Sequence, residues 1–232
     1  MRSGHDPTPQ HSRPLQLILA LAFGIGSAGC KYNLARIPYP PLEPEAHAAT
    51  ANSEIAVFSG GCFWGVDAVF KHVRGVTQVT SGYSGGSADT AQYETVSSGT
   101  TGHAESVQVI YDPSTVSYRT LLKVFFFVAH DPTELNRQGP DEGTQYGSII
   151  FYTSDQQKTT AQEFIAELDT GKTFNGPIVT EVVPLKHFYL AEDYHQDYFE
   201  KHPKNPYIAF NDWPKVSKLQ EEYPWLYKQY NQ

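Results

Sequence analysis

The chain has 232 residues, 40% of them hydrophobic and 18% charged, enough for one domain with a sizeable core and an appendage. Lys and Arg number 17 against 25 Asp and Glu, a net charge of -8, which excludes a nucleic-acid binder because phosphates require a basic face. Only two cysteines occur, Cys30 and Cys62, too few for a disulfide framework or a cysteine-based zinc site.

The N-terminus has the layout of an export signal. Arg2 and Arg13 flank a polar lead, Leu15–Ile25 is uncharged and mostly apolar, and Gly26-Ser27-Ala28-Gly29 precedes Cys30. The apolar run is too short for a spanning helix. The end of the segment is similar to a bacterial lipoprotein processing site, although position 27 is Ser where a branched aliphatic residue is usual. Residues 1–29 are therefore expected to be a lipoprotein-like signal, with Cys30 lipidated and the protein held by that lipid in the bacterial cell envelope, facing the periplasm or exterior. Plain secretion and an uncleaved anchor are the alternatives. Ile37-Pro38-Tyr39-Pro40-Pro41-Leu42-Glu43-Pro44 cannot be helix or central strand, since proline fixes φ and lacks a donor. Residues 30–53 read as a stiff tether to a domain over 54–232.

Ile55, Val57 and Phe58 read as a short buried strand, broken by Gly60-Gly61. From there Cys62, Val66, Val69, Phe70 and Val73 follow the spacing of one buried helix face. Cys62 thus falls at the first turn of a helix, where unpaired N–H groups and the positive end of the dipole favour a thiolate. Phe63 and Trp64 follow at once and suggest an apolar pocket. A nucleophilic cysteine and a buried structural cysteine are both consistent with this stretch alone.

Val76–Tyr83 reads as a strand, Ser84–Ser87 as a turn, Ala91–Ser97 as one or two helical turns, and Val107–Tyr111 as a period-2 strand closed by Asp112-Pro113. Ser117 opens a helix over Tyr118–Ala129, and a loop runs to Tyr146 before a strand over Ser148–Tyr152. Ser154 and Gln157 form a capping box ahead of a stripe of Ala161, Phe164, Ile165 and Leu168. Ile178–Val183 reads as a strand, Ala191–Glu200 as a helix, and the chain beyond Pro203 as an outer wrap. Interleaved helices and strands imply an α+β fold, a two-layer α/β sandwich.

Several polar residues stand in company suited to work with Cys62. Glu105 lies among small residues at the start of a strand, where burial raises a carboxyl pKa and makes it a proton donor near neutral pH. Tyr93, Asp141 and Tyr146 lie in loops, where a turn-forming Asp or a packing Tyr is the plainer reading. His103, His130, His187 and His195 lack ligand spacing, so no metal is expected.

As a set, these stretches resemble the peptide methionine sulfoxide reductase A family. The matching residues are Gly61-Cys62-Phe63-Trp64-Gly65, Gly82-Tyr83-Ser84-Gly85-Gly86, Thr101-Gly102-His103-Ala104-Glu105, His130-Asp131-Pro132, Gly139–Tyr146 and Ala191-Glu192-Asp193-Tyr194-His195-Gln196. The resemblance covers the chain from about Glu54 and implies a mixed sheet with flanking helices, ferredoxin-like in arrangement. It implies reduction of the S epimer of methionine sulfoxide, in proteins or free, as repair of oxidative damage. Cys62 resembles the family nucleophile, Phe63 and Trp64 the walls around the substrate S-methyl group, and Glu105 the acid that protonates the sulfoxide oxygen. Tyr93, Asp141 and Tyr146 resemble the groups that hydrogen-bond that oxygen.

Two departures from the family pattern matter. Many members carry further cysteines in a glycine-rich tail, but Lys215–Gln232 has none, and Gly147 stands where Arg often follows the tyrosine. A sulfenic acid on Cys62 would then be reduced by an external thiol, a thioredoxin-like protein, glutaredoxin or glutathione, with no other cofactor. Oxidised proteins or peptides are the expected substrates, and a monomer is expected. Another thiol enzyme remains open at this stage, either a thiol peroxidase or a Cys-His hydrolase using His103 or His195 as base. An aromatic binding module in the envelope is a further alternative.

Overall fold

The computed structural model describes residues 53–230. Cys30, the export signal and the proline-rich stretch Ile37–Pro44 lie outside the described residues. Among the described residues no helix is long and apolar enough to cross a membrane.

Six segments make the frame: β1 (Glu54–Ser59), α1 (Phe63–Lys71), β2 (Val76–Ser84), β3 (Ala104–Tyr111), α3 (Tyr118–Val124) and β6 (Ile149–Tyr152). Between them lie the one-turn helix α2 (Tyr93–Val96) and a small hairpin of β4 (Arg137–Gln138) and β5 (Asp141–Glu142). After them come α4 (Asp155–Thr170), β7 (Glu181–Pro184), β8 (Phe188–Leu190), α5 (Tyr198–Lys201) and α6 (Trp213–Glu222).

The main sheet has the order β7-β6-β1-β3-β2-β8. β6 and β7 run parallel and every other neighbouring pair is antiparallel. Its inner four strands, with α1 and α3 as crossovers, form the split βαβ pattern of ferredoxin-like folds. A mixed sheet with flanking helices is thus what the sequence implied.

Alternation along the strands decides which residues meet the helices. On β1, Ala56 and Phe58 face the main core, while Val57 turns to a smaller cluster with Ala104 and Phe151. Phe58 stacks on Phe70 of α1 at 5.1 Å and on Phe125 at 4.9 Å, so one ring joins both crossovers to the central strand. Burying a ring of that size stabilises by about 1.5–3 kcal/mol. On β3, Glu105 shares the helix-facing side with Val107 and Val109, and all are buried.

Ser117 and Ser154 cap their helices by accepting from Thr120 N–H and Gln157 N–H. Gln157 reaches one residue further back than a standard box, accepting from Thr153 N–H at 2.9 Å. The expected helix to Ala129 is α3 continued by a π-type turn over Phe125–Ala129. The C-terminal third departs most from expectation. Ala191–Glu200 is not one helix, because Asp197 adopts φ 56°, a left-handed conformation that separates a short turn at Asp193–His195 from α5. The same Asp197 accepts from Lys71 Nζ at 2.6 Å, and Lys71 also pairs with Asp67 at 2.6 Å, fixing the break against α1.

Nor is the segment beyond Pro203 only a wrap. Ile208, Val216 and Leu219 are buried, and α6 packs on α1. Its apolar positions serve the core because the helix starts cleanly with Pro214 in the first turn. The last stretch is pinned to the end of α1. Arg74 N–H donates to Leu226 O at 2.6 Å, and Lys228 N–H donates to His72 O at 2.8 Å.

Candidate active site

The turn before Cys62 requires its glycines. Gly61 has φ +89°, and a Cβ there would sit 2.6 Å from Gln138 Cβ. Its N–H donates to Tyr146 O at 3.2 Å, which brings the Thr144–Tyr146 turn beside the cysteine. Gly60 lies against His130 and Phe125, and His130 Nε2 bonds Ser148 Oγ at 2.7 Å. Cys62 then occupies the N-cap position of α1, and its side chain caps nothing.

Cys62 is only 8% exposed. Burial pushes its thiol well up, the negative charges of Glu105, Asp212 and Asp141 push the same way, and the backbone N–H of Trp64 opposes them. The sequence pointed to a thiolate stabilised by the helix end. In the folded protein the site favours the thiol, because desolvation and neighbouring carboxyls outweigh that field.

Glu105 reaches this point from β3. Its Oε2 accepts the Phe63 N–H at 3.0 Å, which holds the carboxyl next to Cys62. Burial raises it to about 8, against the pull of the Phe63 N–H, so it is a neutral acid at neutral pH. It is 2% exposed.

Tyr93 of α2, Asp141 of β5 and Tyr146 of the Thr144–Tyr146 turn complete the cluster. Burial raises the Tyr93 and Tyr146 hydroxyls, and the charges of Glu105 and Cys62 raise them further, which keeps both as hydrogen-bond donors facing the same centre. Burial also raises Asp141, opposed by the hydroxyl of Tyr207, which donates to its Oδ2. Phe63 is buried and tilts against Tyr83 at 5.8 Å and His195 at 5.0 Å. Trp64 is half-buried, stacks on Tyr198 at 3.7 Å and meets the edge of Tyr207 at 5.9 Å. The five polar groups and two aromatics singled out in the sequence therefore converge. Hydroxyls, carboxyls and aromatic rings thus gather around one sulfur, a combination suited to a small polar S–O group carrying a methyl arm.

Other members of the cluster were not assigned roles from sequence. Glu192 accepts from Tyr83 OH at 2.8 Å and from Tyr93 N–H at 2.9 Å, and so places Tyr93. Tyr207 holds Asp141, and Asp212 lies behind α1. Their signal was a short aromatic and acidic run without periodicity, which spacing cannot interpret. Neither histidine offered as a hydrolase base bonds the cysteine. His195 Nδ1 accepts from the Trp64 indole at 3.1 Å, while His103 Nδ1 accepts from Gly86 N–H at 3.2 Å and its Nε2 lies 2.9 Å from Ser87 O. No cluster of three or more potential metal-binding His, Cys, Asp or Glu occurs among the described residues.

Comparison with known proteins fits this geometry. A family model described as peptide methionine sulfoxide reductase matches residues 54–225. The chain is 55% identical over 181 residues to peptide methionine sulfoxide reductase MsrA 2 of Mesorhizobium japonicum, covering 78% of this chain and 93% of that protein. Against MsrA 2 of Synechocystis it is 48% identical over 206 residues, 88% of this chain and 96% of the relative. Among solved structures, reduced Mxr1 of Saccharomyces cerevisiae matches with a TM-score of 0.61 and 33% identity, covering 68% of this chain and 90% of that one. Methionine sulfoxide reductase A of Corynebacterium diphtheriae matches with a TM-score of 0.58 and 34% identity over 69% of this chain and 83% of that one.

Proposed function

The chain belongs to the peptide methionine sulfoxide reductase family and is a peptide-methionine (S)-S-oxide reductase, and on that premise we propose that Cys62 is its nucleophile and Glu105 its acid. The observation that carries the assignment is the buried Glu105 carboxyl held by the Phe63 N–H at the head of α1, next to the buried Cys62 thiol. When a sulfoxide enters, Glu105 gives its proton to the substrate oxygen and takes the thiol proton in return. The Cys62 sulfur attacks the sulfoxide sulfur as the charge growing on oxygen is met by that proton and by the Tyr93 and Tyr146 hydroxyls. Oxygen passes from the substrate to Cys62. The substrate sulfur is reduced by two electrons to methionine, and the cysteine is oxidised by two to a sulfenic acid.

Recovery uses an external thiol. It attacks the Cys62 sulfur, the S–O bond breaks, and water leaves with a mixed disulfide in place. A second thiol then releases Cys62 and carries away the disulfide. This reading is supported by Cys62 being the only cysteine among the described residues. The donor is a thioredoxin-like protein, glutaredoxin or glutathione, and the substrates are oxidised proteins or peptides of the cell envelope, where a lipid at Cys30 would hold a monomeric enzyme for repair. The support for that location is the signal-like run before Cys30.

The test is turnover of an S-sulfoxide peptide with dithiothreitol as donor. Cys62→Ser should abolish it. Retained turnover would end the assignment, and no loss of activity on removing Cys30 is expected.

A further inference from the structure

Asp212 immediately precedes α6, yet its carboxylate makes no capping bond to that helix. It is turned toward α1. A Cβ on Gly65 would collide with Asp212 Oδ1, so the glycine is what admits the carboxylate to the first turn behind Cys62. Asp212 has no exposed surface. Its Oδ1 lies 3.5 Å from Lys215 Nζ, and its Oδ2 has no hydrogen-bond partner among the described residues. A buried carboxylate oxygen without a donor is unfavourable. What offsets it is the Lys215 charge and the positive end of α1. Cys62 stands at that same end. Two groups that each become negative on ionising share one helix terminus, and the charge of either opposes the charge of the other.

We propose that Asp212 is a positioning residue of this reductase, acting through α1 to keep the Cys62 sulfur a thiol in the resting enzyme. The inference rests on Cys62 being the nucleophile. The groups that face Asp212 are Lys215 of α6, Cys62 and Gly65 at the head of α1, Asp141 of β5 and Tyr207 ahead of α6. Burial raises Asp212 to about 6, against the Lys215 charge, so it is an anion at neutral pH. Glu105, raised to about 8, is neutral there. Near pH 7 Glu105 is therefore neutral, while Asp212 sets a negative charge against the first turn of α1 behind the sulfur, alongside Asp141. Glu105 is free to trade protons with substrate while Asp212 holds the threshold.

The experiment is the pH profile of iodoacetamide alkylation at Cys62 in the full chain, read by mass spectrometry of the Cys62 peptide. Asp212→Asn, which keeps the shape, should lower the midpoint by about one pH unit, a roughly tenfold rise in alkylation below the midpoint. Asp212→Ser should do the same if Asp212→Asn fails to fold. An unchanged or raised midpoint in a folded variant overturns the proposal, as does failure of both to fold, which would make Asp212 a packing group. Because the readout is ionisation and not turnover, this outcome is separate from that of Cys62→Ser.

Discussion

Phe63 hands its backbone N–H to Glu105 Oε2 at 3.0 Å, so the first residue of the helix that carries the sulfur also aims the acid. One bond ties strand β3 to the head of α1. Neither group can move without disturbing the other, and the chemistry proposed for them depends on their shared position.

Glu105 should set the alkaline limb of the activity profile. Its folded pKa, about 8, lies above the ordinary 4.5. The neutral form is favoured by the fold, so its linked stability is complete below about 4.5 and is lost as pH rises toward 8. The transferable proton is lost over the upper part of that window, and the rate should fall above pH 8. Glu105→Gln should cut kcat by about 10²–10⁴-fold and flatten that limb. It should also melt above the wild type at pH 9, with the gap closing on acidification. Rate profiles and calorimetry at both ends of the range check this, and an alkaline limb unchanged in the variant would remove the acid role.

Trp64 is expected to act in binding. Its indole donates to His195 Nδ1 at 3.1 Å while its ring lies on Tyr198. Trp64→Phe keeps most of the stacking and loses a bond worth about 1 kcal/mol, so KM should rise roughly fivefold with kcat nearly unchanged. Steady-state kinetics on a sulfoxide peptide decide it. A fall in kcat alone would place the indole in the chemistry instead.

Tyr207→Phe should matter although the residue lies far along the chain from the cysteine. The variant removes the hydroxyl that donates to Asp141 and leaves that half-buried carboxyl raised further. Stability should drop by about 1–2 kcal/mol and kcat/KM by about tenfold. Urea titration and kinetics read the two effects, and full activity would show that Asp141 does not depend on this partner.

Gly61→Ala and Gly102→Ala should differ. Both glycines have positive φ, +89° and +76°, but only Gly61 would drive a Cβ into Gln138, at 2.6 Å, while Gly102 has open space. Gly102→Ala should cost about 1 kcal/mol from backbone conformation alone. Gly61→Ala adds overpacking of about 1–3 kcal/mol and displaces Cys62. Denaturation midpoints in the reverse order would contradict the turn geometry.

How much of this was legible follows from local signals. The apolar spacing after Gly60-Gly61 placed α1 and its cysteine, and Ser117 and Ser154 marked two helix starts that the structure uses. Glu105 was legible because small neighbours at a strand start let the sheet close over a carboxyl and bury it. What failed was everything set by distant contacts. Asp197 breaks the expected Ala191–Glu200 helix because Lys71, 126 positions away, holds its carboxylate. Tyr207 and Asp212 belong to the site only through α6 packing on α1, which no spacing within their own segment records. The thiolate expectation failed for the same reason: the helix end is local, but the burial and the carboxyls that oppose it are not.

The pinning of Leu226 and Lys228 to the end of α1 has a kinetic consequence. A thiol carried on a loose arm would meet the oxidised sulfur at a local concentration on the order of millimolar, whatever the surroundings held. The described C-terminal stretch is fastened down and carries no sulfur. On the recovery proposed above, each cycle waits for a collision with a free donor, so the pace of the enzyme becomes a gauge of the reducing supply around it.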